Sequence, residues 1–199
     1  MTPERLARLT TVLDKRQDDI TVVLENVFDP HNISAVMRSC DAVGIQEIYI
    51  LNTRIGPHKK WGKKSSSSAA LWLTVHQFDD ADACFGALRK RYDRILSTHL
   101  GEGSSSLYEL DLTQRVALVF GNEHSGVSDE VLHHCDANFL IPQVGMIRSL
   151  NISVACAVSI FEAFRQRQAA GHYDQPKLGP SFRKDLLRLW GLPDREGET

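Results

Sequence analysis

The sequence predicts an α/β protein in which a mostly parallel sheet is flanked by helices, and three observations predict it. Short β-branched and apolar runs at 20–24, 45–51, 71–78, 94–98, 116–120 and 138–141 read as buried strands. Apolar residues at helical spacing fill most of the intervals between them. Proline, glycine and capping side chains stand where those helices would begin or end. Strand and helix therefore alternate, as in sheets whose crossovers cover both faces.

Each element has its own signal. Thr2 caps an amphipathic N-terminal helix with Pro3 at its first position; Leu6, Leu9, Val12 and Leu13 repeat on one face, and Arg5, Arg8, Lys15 and Arg16 take others. After the strand at 20–24 and the pair Asp29-Pro30, the positions Ile33, Val36, Met37, Cys40 and Val43 define a helix ended by Gly44. The strand at 45–51 leads into a Lys/Ser-rich loop and the strand at 71–78. A helix capped at Asp79 or Asp80 then runs to Arg91, and strands follow at 94–98 and 116–120. Ser128 caps a short helix through Cys135, the strand at 138–141 comes next, and a long helix covers roughly 150–170. Beyond Gly171 a proline-containing linker reaches a last amphipathic helix at about 180–190 and a polar tail. The serine runs 65–68 and 104–106 read as flexible loops. The organisation expected is an N-terminal helix over 1–19, a single α/β domain over 20–171 and a C-terminal extension over 172–199.

Composition limits the function. A chain of 199 residues, 42% hydrophobic and 24% charged, suits one folded domain with small appendages and disfavours disorder. No apolar run approaches the roughly 18 residues of a membrane helix, and charges occupy the start where a secretory signal would be apolar. A cytoplasmic protein with no membrane partner is expected. Cys40, Cys84, Cys135 and Cys156 are widely spaced, so they read as reduced core residues rather than as a zinc knuckle or disulfide framework. The net charge of −2 argues against a non-specific nucleic-acid binder. Its distribution says more: Arg54, Lys59, Lys60, Lys63 and Lys64 lie in an acid-free stretch, whereas Arg115 is the sole Lys or Arg over the acid-rich 102–136.

Several tempting motifs fail on spacing. The segment GPHKKWGKKSS has five residues between its glycines and a second Lys after Lys63, which excludes a phosphate-binding P-loop. It reads either as a solvated loop or as a phosphate-neutralising one with Trp61 for stacking. Adjacent residues on a helix diverge, so His133-His134-Cys135 is not a metal site, and no metal is expected. Ser97-Thr98-His99 lacks a nucleophile elbow and placeable triad partners, which disfavours a hydrolase. Three strand-to-helix junctions are more informative, because ligands of open α/β sheets gather at the strands' carboxyl ends. The first, DPHNISAVMR, holds Asn32, which by itself need be no more than a helix cap, and Arg38 one and two-thirds turns later. The second, VFGNEHSGVS, has two glycines that let backbone approach a ligand, and a Glu that a plain turn does not need. The third, IPQVGMIRSLNIS, holds Ser149 and Asn151, either of which also suits a cap.

Together, in order, and extended by the helix ending SIFEAFRQR, these junctions resemble the three motifs of the SpoU, or TrmH, family of RNA ribose 2′-O-methyltransferases. The stretch RLARLTTVLDKRQDDITVVLENVFDPHNISAVMRSCDAVGI is similar to the branch that methylates a D-loop guanosine in tRNA. The resemblance covers nearly the whole chain except its tail. It implies a deep C-terminal trefoil knot, which general topology rules would never suggest, and a homodimer packed near it.

S-adenosyl-L-methionine is the implied cofactor, held among Thr98, Leu100, Gly121, Ile141, Met146 and Leu150. The implied catalytic set is Arg38, Asn32, Glu123, Ser149 and Asn151. A guanidinium holds its proton in proteins, so Arg38 is expected to bind the phosphate beside the target ribose and stabilise the developing alkoxide; outright base catalysis is the stronger claim. Asn32 would orient Arg38 or the RNA, Glu123 would organise the pocket, and Ser149 with Asn151 would shape the turn. RNA contacts are expected at Arg5, Arg8, Arg16, Lys59, Lys60, Lys63, Lys64, Arg183, Lys184 and Arg188. The expected substrate is tRNA at its D-loop guanosine. The alternatives are the tRNA wobble nucleotide, a ribosomal RNA site, and a non-catalytic RNA-binding protein of the same fold. An ordinary doubly wound nucleotide enzyme would need G-x-G-x-x-G after its first strand, where this chain has DPHNIS.

Overall fold

The computed structural model describes residues 2–58, 69–101 and 103–192. Helix α1 (Pro3–Asp14) is capped by the Thr2 hydroxyl, which accepts from the Arg5 amide at 3.3 Å. The core continues through β1 (Ile20–Glu25), α2 (Pro30–Ala42), β2 (Glu47–Leu51), β3 (Thr74–Phe78), α3 (Ala81–Arg89) and β4 (Arg94–Thr98). A two-residue strand, β5 (Ser105–Ser106), precedes β6 (Val116–Phe120), α4 (Asp129–His133), β7 (Ala137–Leu140), the long α5 (Ile152–Ala169) and finally α6 (Pro180–Leu189).

The seven strands form one sheet in the order β3-β2-β1-β6-β4-β7-β5, and every ladder between them is parallel. Strands β1, β2 and β6 are buried at every position, which is why their sequences are near-continuous apolar runs. Alternate residues serve opposite faces. Val22, Leu24, Ile48, Ile50, Leu118 and Phe120 pack with Val36, Met37 and Cys40 of α2 and Cys156 and Ile160 of α5. Val23, Tyr49, Leu51, Ala117 and Val119 pack instead with Cys84, Phe85 and Leu88 of α3 and Val131 of α4. A slip of one residue would exchange the two sets, so packing fixes the register. A third cluster, Leu9, Leu13, Leu186 and Trp190 among its members, joins the terminal helices α1 and α6.

The strand expected over 45–51 begins at Glu47, the helix expected to reach Arg91 ends at Arg89, and three larger differences stand out. The run 71–78 becomes a strand only at Thr74, because Ala69–Leu71 form a 3-10 turn. Ser105 and Ser106 are not a loose loop: they pair with Phe139 and Leu140 of β7, and Ser106 forms a capping box with Glu109. Arg16, expected at an RNA surface, is fully buried, pairing with Asp41 at 2.5 Å and lying over the Trp190 ring at 5.4 Å. Burial pushes its pKa down and Asp41 opposes the shift, so this guanidinium is committed to the interior.

A second buried guanidinium ties the far end of the sheet. Arg167 donates to the carbonyls of Leu112 (2.8 Å), Gln114 (2.5 Å) and Asp19 (3.2 Å) and to the Asp19 carboxylate (2.5 Å), which also meets Lys177 at 2.7 Å. Burial alone would raise the Asp19 pKa, but Arg167 and Lys177 outweigh it and hold the carboxyl below its ordinary 3.8. A depressed folded-state value stabilises above the unfolded value and is lost as pH falls through the folded one. Urea unfolding across pH should therefore show stability decreasing below about pH 4. Asp19→Asn should be less stable than wild type at pH 7, with the gap closing as pH falls through the lowered Asp19 value. Arg167→Ala should be clearly destabilising at neutral pH, because it leaves the carbonyls of Leu112 and Gln114 without this donor and the part-buried Asp19 carboxylate with Lys177 alone.

Candidate functional site

The carboxyl ends of β4, β6 and β7 open into a cavity of about 440 Å³. Thr98, His99 and Leu100 line it after β4, Gly121, Glu123 and His124 after β6, and Ile141, Arg148, Ser149 and Leu150 after β7, with Phe120, Phe139 and Ile152 between them. The turn after β6 is built tightly. Asn122 and Gly126 exchange two backbone hydrogen bonds of 3.1 Å, and Asn122 Oδ1 accepts from the His124 and Ser125 amides at 2.9 Å each. Gly126 has φ +69°, and a Cβ on Gly121 would lie 1.9 Å from the Gly126 carbonyl carbon, so both positions require glycine.

The three junctions meet. Asn32 Nδ2 donates to Glu123 Oε1 at 2.5 Å, and Asn151 Nδ2 donates to Asn32 Oδ1 at 3.2 Å. Asn32 is free to do this because Asp29, not Asn32, caps α2 by accepting from the His31 amide at 2.8 Å. Asn151 does both jobs at once: its Oδ1 caps α5 through the Ser153 amide at 2.8 Å while its Nδ2 reaches Asn32. Ser149 lines the cavity.

Other expected residues stand elsewhere. Arg38 is exposed on α2, outside the cavity lining, with no hydrogen-bond or ion-pair partner among the described residues. Met146 is 98% exposed and does not line the cavity, whereas Thr98, Leu100, Gly121, Ile141 and Leu150 do. Arg5 and Arg8 are exposed on α1, Arg183 pairs with Asp14 at 2.7 Å, and Lys184 and Arg188 are exposed on α6. Lys59, Lys60, Lys63 and Lys64 lie outside the described residues. Among the described residues no group of three or more His, Cys, Asp or Glu is arranged to hold a metal ion.

Some contributors were not anticipated. Arg148 lines the cavity, and its signal was a basic residue within the third junction. Glu25, 1% exposed at the end of β1, accepts from the Ser128 amide at 2.9 Å and so ties the end of β1 to the second junction. Its signal was a carboxylate closing an apolar run. Asn26 adopts φ +48°, and its Oδ1 accepts from the Arg54 amide at 2.9 Å, fixing the turn that leaves β1.

The SpoU rRNA Methylase family model matches residues 19–161. A tRNA (guanosine(18)-2′-O)-methyltransferase of Thermus thermophilus is 41% identical over 189 residues, covering 95% of this chain and 96% of that protein. The crystal structure of the TrmH/SpoU tRNA modifying enzyme of Aquifex aeolicus superposes with a TM-score of 0.87 at 36% identity, covering 94% of each chain. An AdoMet-bound rRNA methyltransferase from Sinorhizobium meliloti gives a TM-score of 0.67 at 26% identity, covering 78% of this chain and 59% of that one.

Gly121→Ala tests the cavity wall. The added methyl would force apart the turn after β6, so calorimetric binding of S-adenosylmethionine should be lost while circular dichroism retains the helical signal of the fold.

Proposed function

The chain belongs to the SpoU rRNA Methylase family, and from that premise we propose that it is an S-adenosylmethionine-dependent tRNA ribose 2′-O-methyltransferase acting on the D-loop guanosine, nucleotide 18. The observation that carries the reaction is the run Glu123–Asn32–Asn151, which joins three strand-end junctions beside one cavity. The choice of nucleotide rests on 41% identity along almost the full length of a relative with that specificity.

The cavity fits the cofactor. Its volume of about 440 Å³ lies in the ordinary range for small-molecule sites, and it combines apolar side chains with backbone groups that glycine leaves accessible. Thr98, Leu100, Gly121, Ile141 and Leu150 hold it, and Met146 joins them when the loop 143–149 is covered. When bound, S-adenosylmethionine supplies a methyl carbon already activated by its sulfonium. The chain's own work is to align a ribose hydroxyl and to stabilise the oxygen as its proton leaves. Arg38, exposed and unpartnered among the described residues, is available to an RNA phosphate and to the developing alkoxide. Asn32 orients the RNA, Glu123 fixes Asn32, and Ser149 and Asn151 shape the third junction.

Further parts of the reading concern assembly. The chain forms a homodimer, supported by apolar side chains that the single chain leaves in water: Val144, Met146 and Ile147 at 108, 98 and 74% exposure, and Val154 and Phe161 on α5 at 46 and 48%. The segment following β7 threads a deep trefoil knot, supported by family membership and by a sheet order that sets β4 between β6 and β7. Residues 20–171 form the knotted methyltransferase domain, with 1–19 and 172–199 as terminal extensions. The setting is cytoplasmic, supported by the tRNA substrate; no helix among the described residues is long and apolar enough to cross a membrane. Arg5, Arg8, Arg183, Lys184, Arg188 and the lysines at 59, 60, 63 and 64 contact RNA collectively.

Incubation with labelled methyl donor and an unmodified tRNA transcript, followed by mapping of the alkali-resistant linkage, should locate one methyl group at guanosine 18. A linkage at the wobble nucleotide, methylation of ribosomal RNA alone, or none at all would select the corresponding rival. Arg38→Ala and Arg38→Lys should each lose roughly 100-fold or more in kcat, since a point charge does not replace a planar fork. Affinity for tRNA should fall steeply with salt if the cationic residues act together, and a flat response would remove them from the interface.

A further inference from the structure

Two aromatic rings beside the cavity take no part in the chemistry described above. Phe28 lies between β1 and α2, and His124 in the turn after β6; their ring centroids are 5.7 Å apart and their planes are tilted by 58°. Phe28 is 51% exposed, and His124 lines the cavity. Both are mounted on held backbone. Val27 is buried and its carbonyl accepts from His58 Nε2 at 2.8 Å, while Asp29 caps α2, so Phe28 sits between two pinned neighbours. The His124 amide donates to Asn122 Oδ1 at 2.9 Å, and the residue before it, Glu123, is bonded to Asn32. The ring pair therefore stands next to the side chains that join the first two junctions.

Two rings at this tilt do not stack on each other. They form an open corner, in which a flat heterocycle laid on one ring meets the other at the same 58° tilt, so that one ring stacks on it and the other bounds it. Proteins recognise unpaired RNA bases by such stacking on Phe and His. Covalent geometry supplies the remaining constraint. A ribose 2′-oxygen is three bonds from its base, so a nucleotide whose hydroxyl enters the cavity must leave its base at the cavity's own rim. Resting on the function proposed above, we infer that Phe28 and His124 form the stacking platform for the base of the nucleotide being methylated. The platform turns base stacking into ribose alignment, and it explains why a large apolar ring is left in water on the rim of a polar cluster.

Steady-state kinetics with unmodified tRNA transcript test it. Phe28→Ala should lower kcat/KM for tRNA by roughly 10- to 100-fold, with S-adenosylmethionine affinity and oligomeric state unchanged. Phe28→Trp should restore most of the loss, and His124→Ala should move in the same direction. Relative to the wild type, whose own indoles are Trp61, Trp72 and Trp190, the Phe28→Trp protein should show added quenching by tRNA, and much less of it by a transcript with an abasic ribose at the target position. Equal quenching by the two transcripts, or wild-type kcat/KM in Phe28→Ala, would overturn the platform. So would a loss accompanied by weakened cofactor binding or dissociation into single chains, which would make Phe28 part of the fold or of a subunit contact. If the wild-type protein leaves guanosine 18 unmethylated, the proposed function fails and the platform with it; normal wild-type methylation beside an unimpaired Phe28→Ala removes the platform alone.

Discussion

The hydrogen bond from Asn32 to Glu123, 2.5 Å long, is the tie on which the site depends. A parallel sheet delivers the carboxyl ends of all its strands to one edge, but this alone does not set the distance between the turns that leave them. A side-chain amide on a carboxylate does so, because a charge-assisted hydrogen bond is short and directional. Both ends of the Asn32 amide are in use, the nitrogen on Glu123 and the oxygen on Asn151, so the group has one orientation. The first turn of α2, the turn after β6 and the start of α5 thereby become one rigid unit.

That unit is carried by packing on both sides of the sheet. β6 lies between β1 and β4, so the turn at Gly121 emerges at the centre of the sheet, and Glu25 adds a second tie by accepting from the Ser128 amide at 2.9 Å. The opposite end of β1 has a different task. Asp19, with Arg167 and Lys177 on its carboxylate, anchors the end of α5 and the segment after it to the start of the sheet. Buried charge at one end thus secures the frame, and a solvent-facing polar cluster stands at the other.

Much of this was legible in the sequence, for identifiable reasons. Strands buried on both faces need unbroken apolar runs, and the run 116–120 has the bounds of β6; β4 keeps the bounds 94–98 with a buried centre and half-buried ends. Caps at Thr2 and Ser128 were legible because capping is local chemistry. What depends on distant partners was not. β5 consists of two serines and exists only because β7 lies alongside. Arg16 carries the charge of a surface residue, and nothing local reveals that Asp41 and Trp190 enclose it. Asp29 and Asn32 are both capable caps, and the path out of β1 decides between them. The meeting of Asn32, Glu123 and Asn151 was legible only as three ordered motifs; their contacts required the fold, and the fold left Arg38 and Met146 outside the cavity that the motifs enclose.

The most direct test of the tie is a double-mutant cycle on kcat for tRNA methylation, using Asn32→Ala, Glu123→Ala and the double variant. If the two side chains act as one unit, the double variant should be no slower than the slower single one. Losses that multiply, as they do for independent sites, would contradict the account.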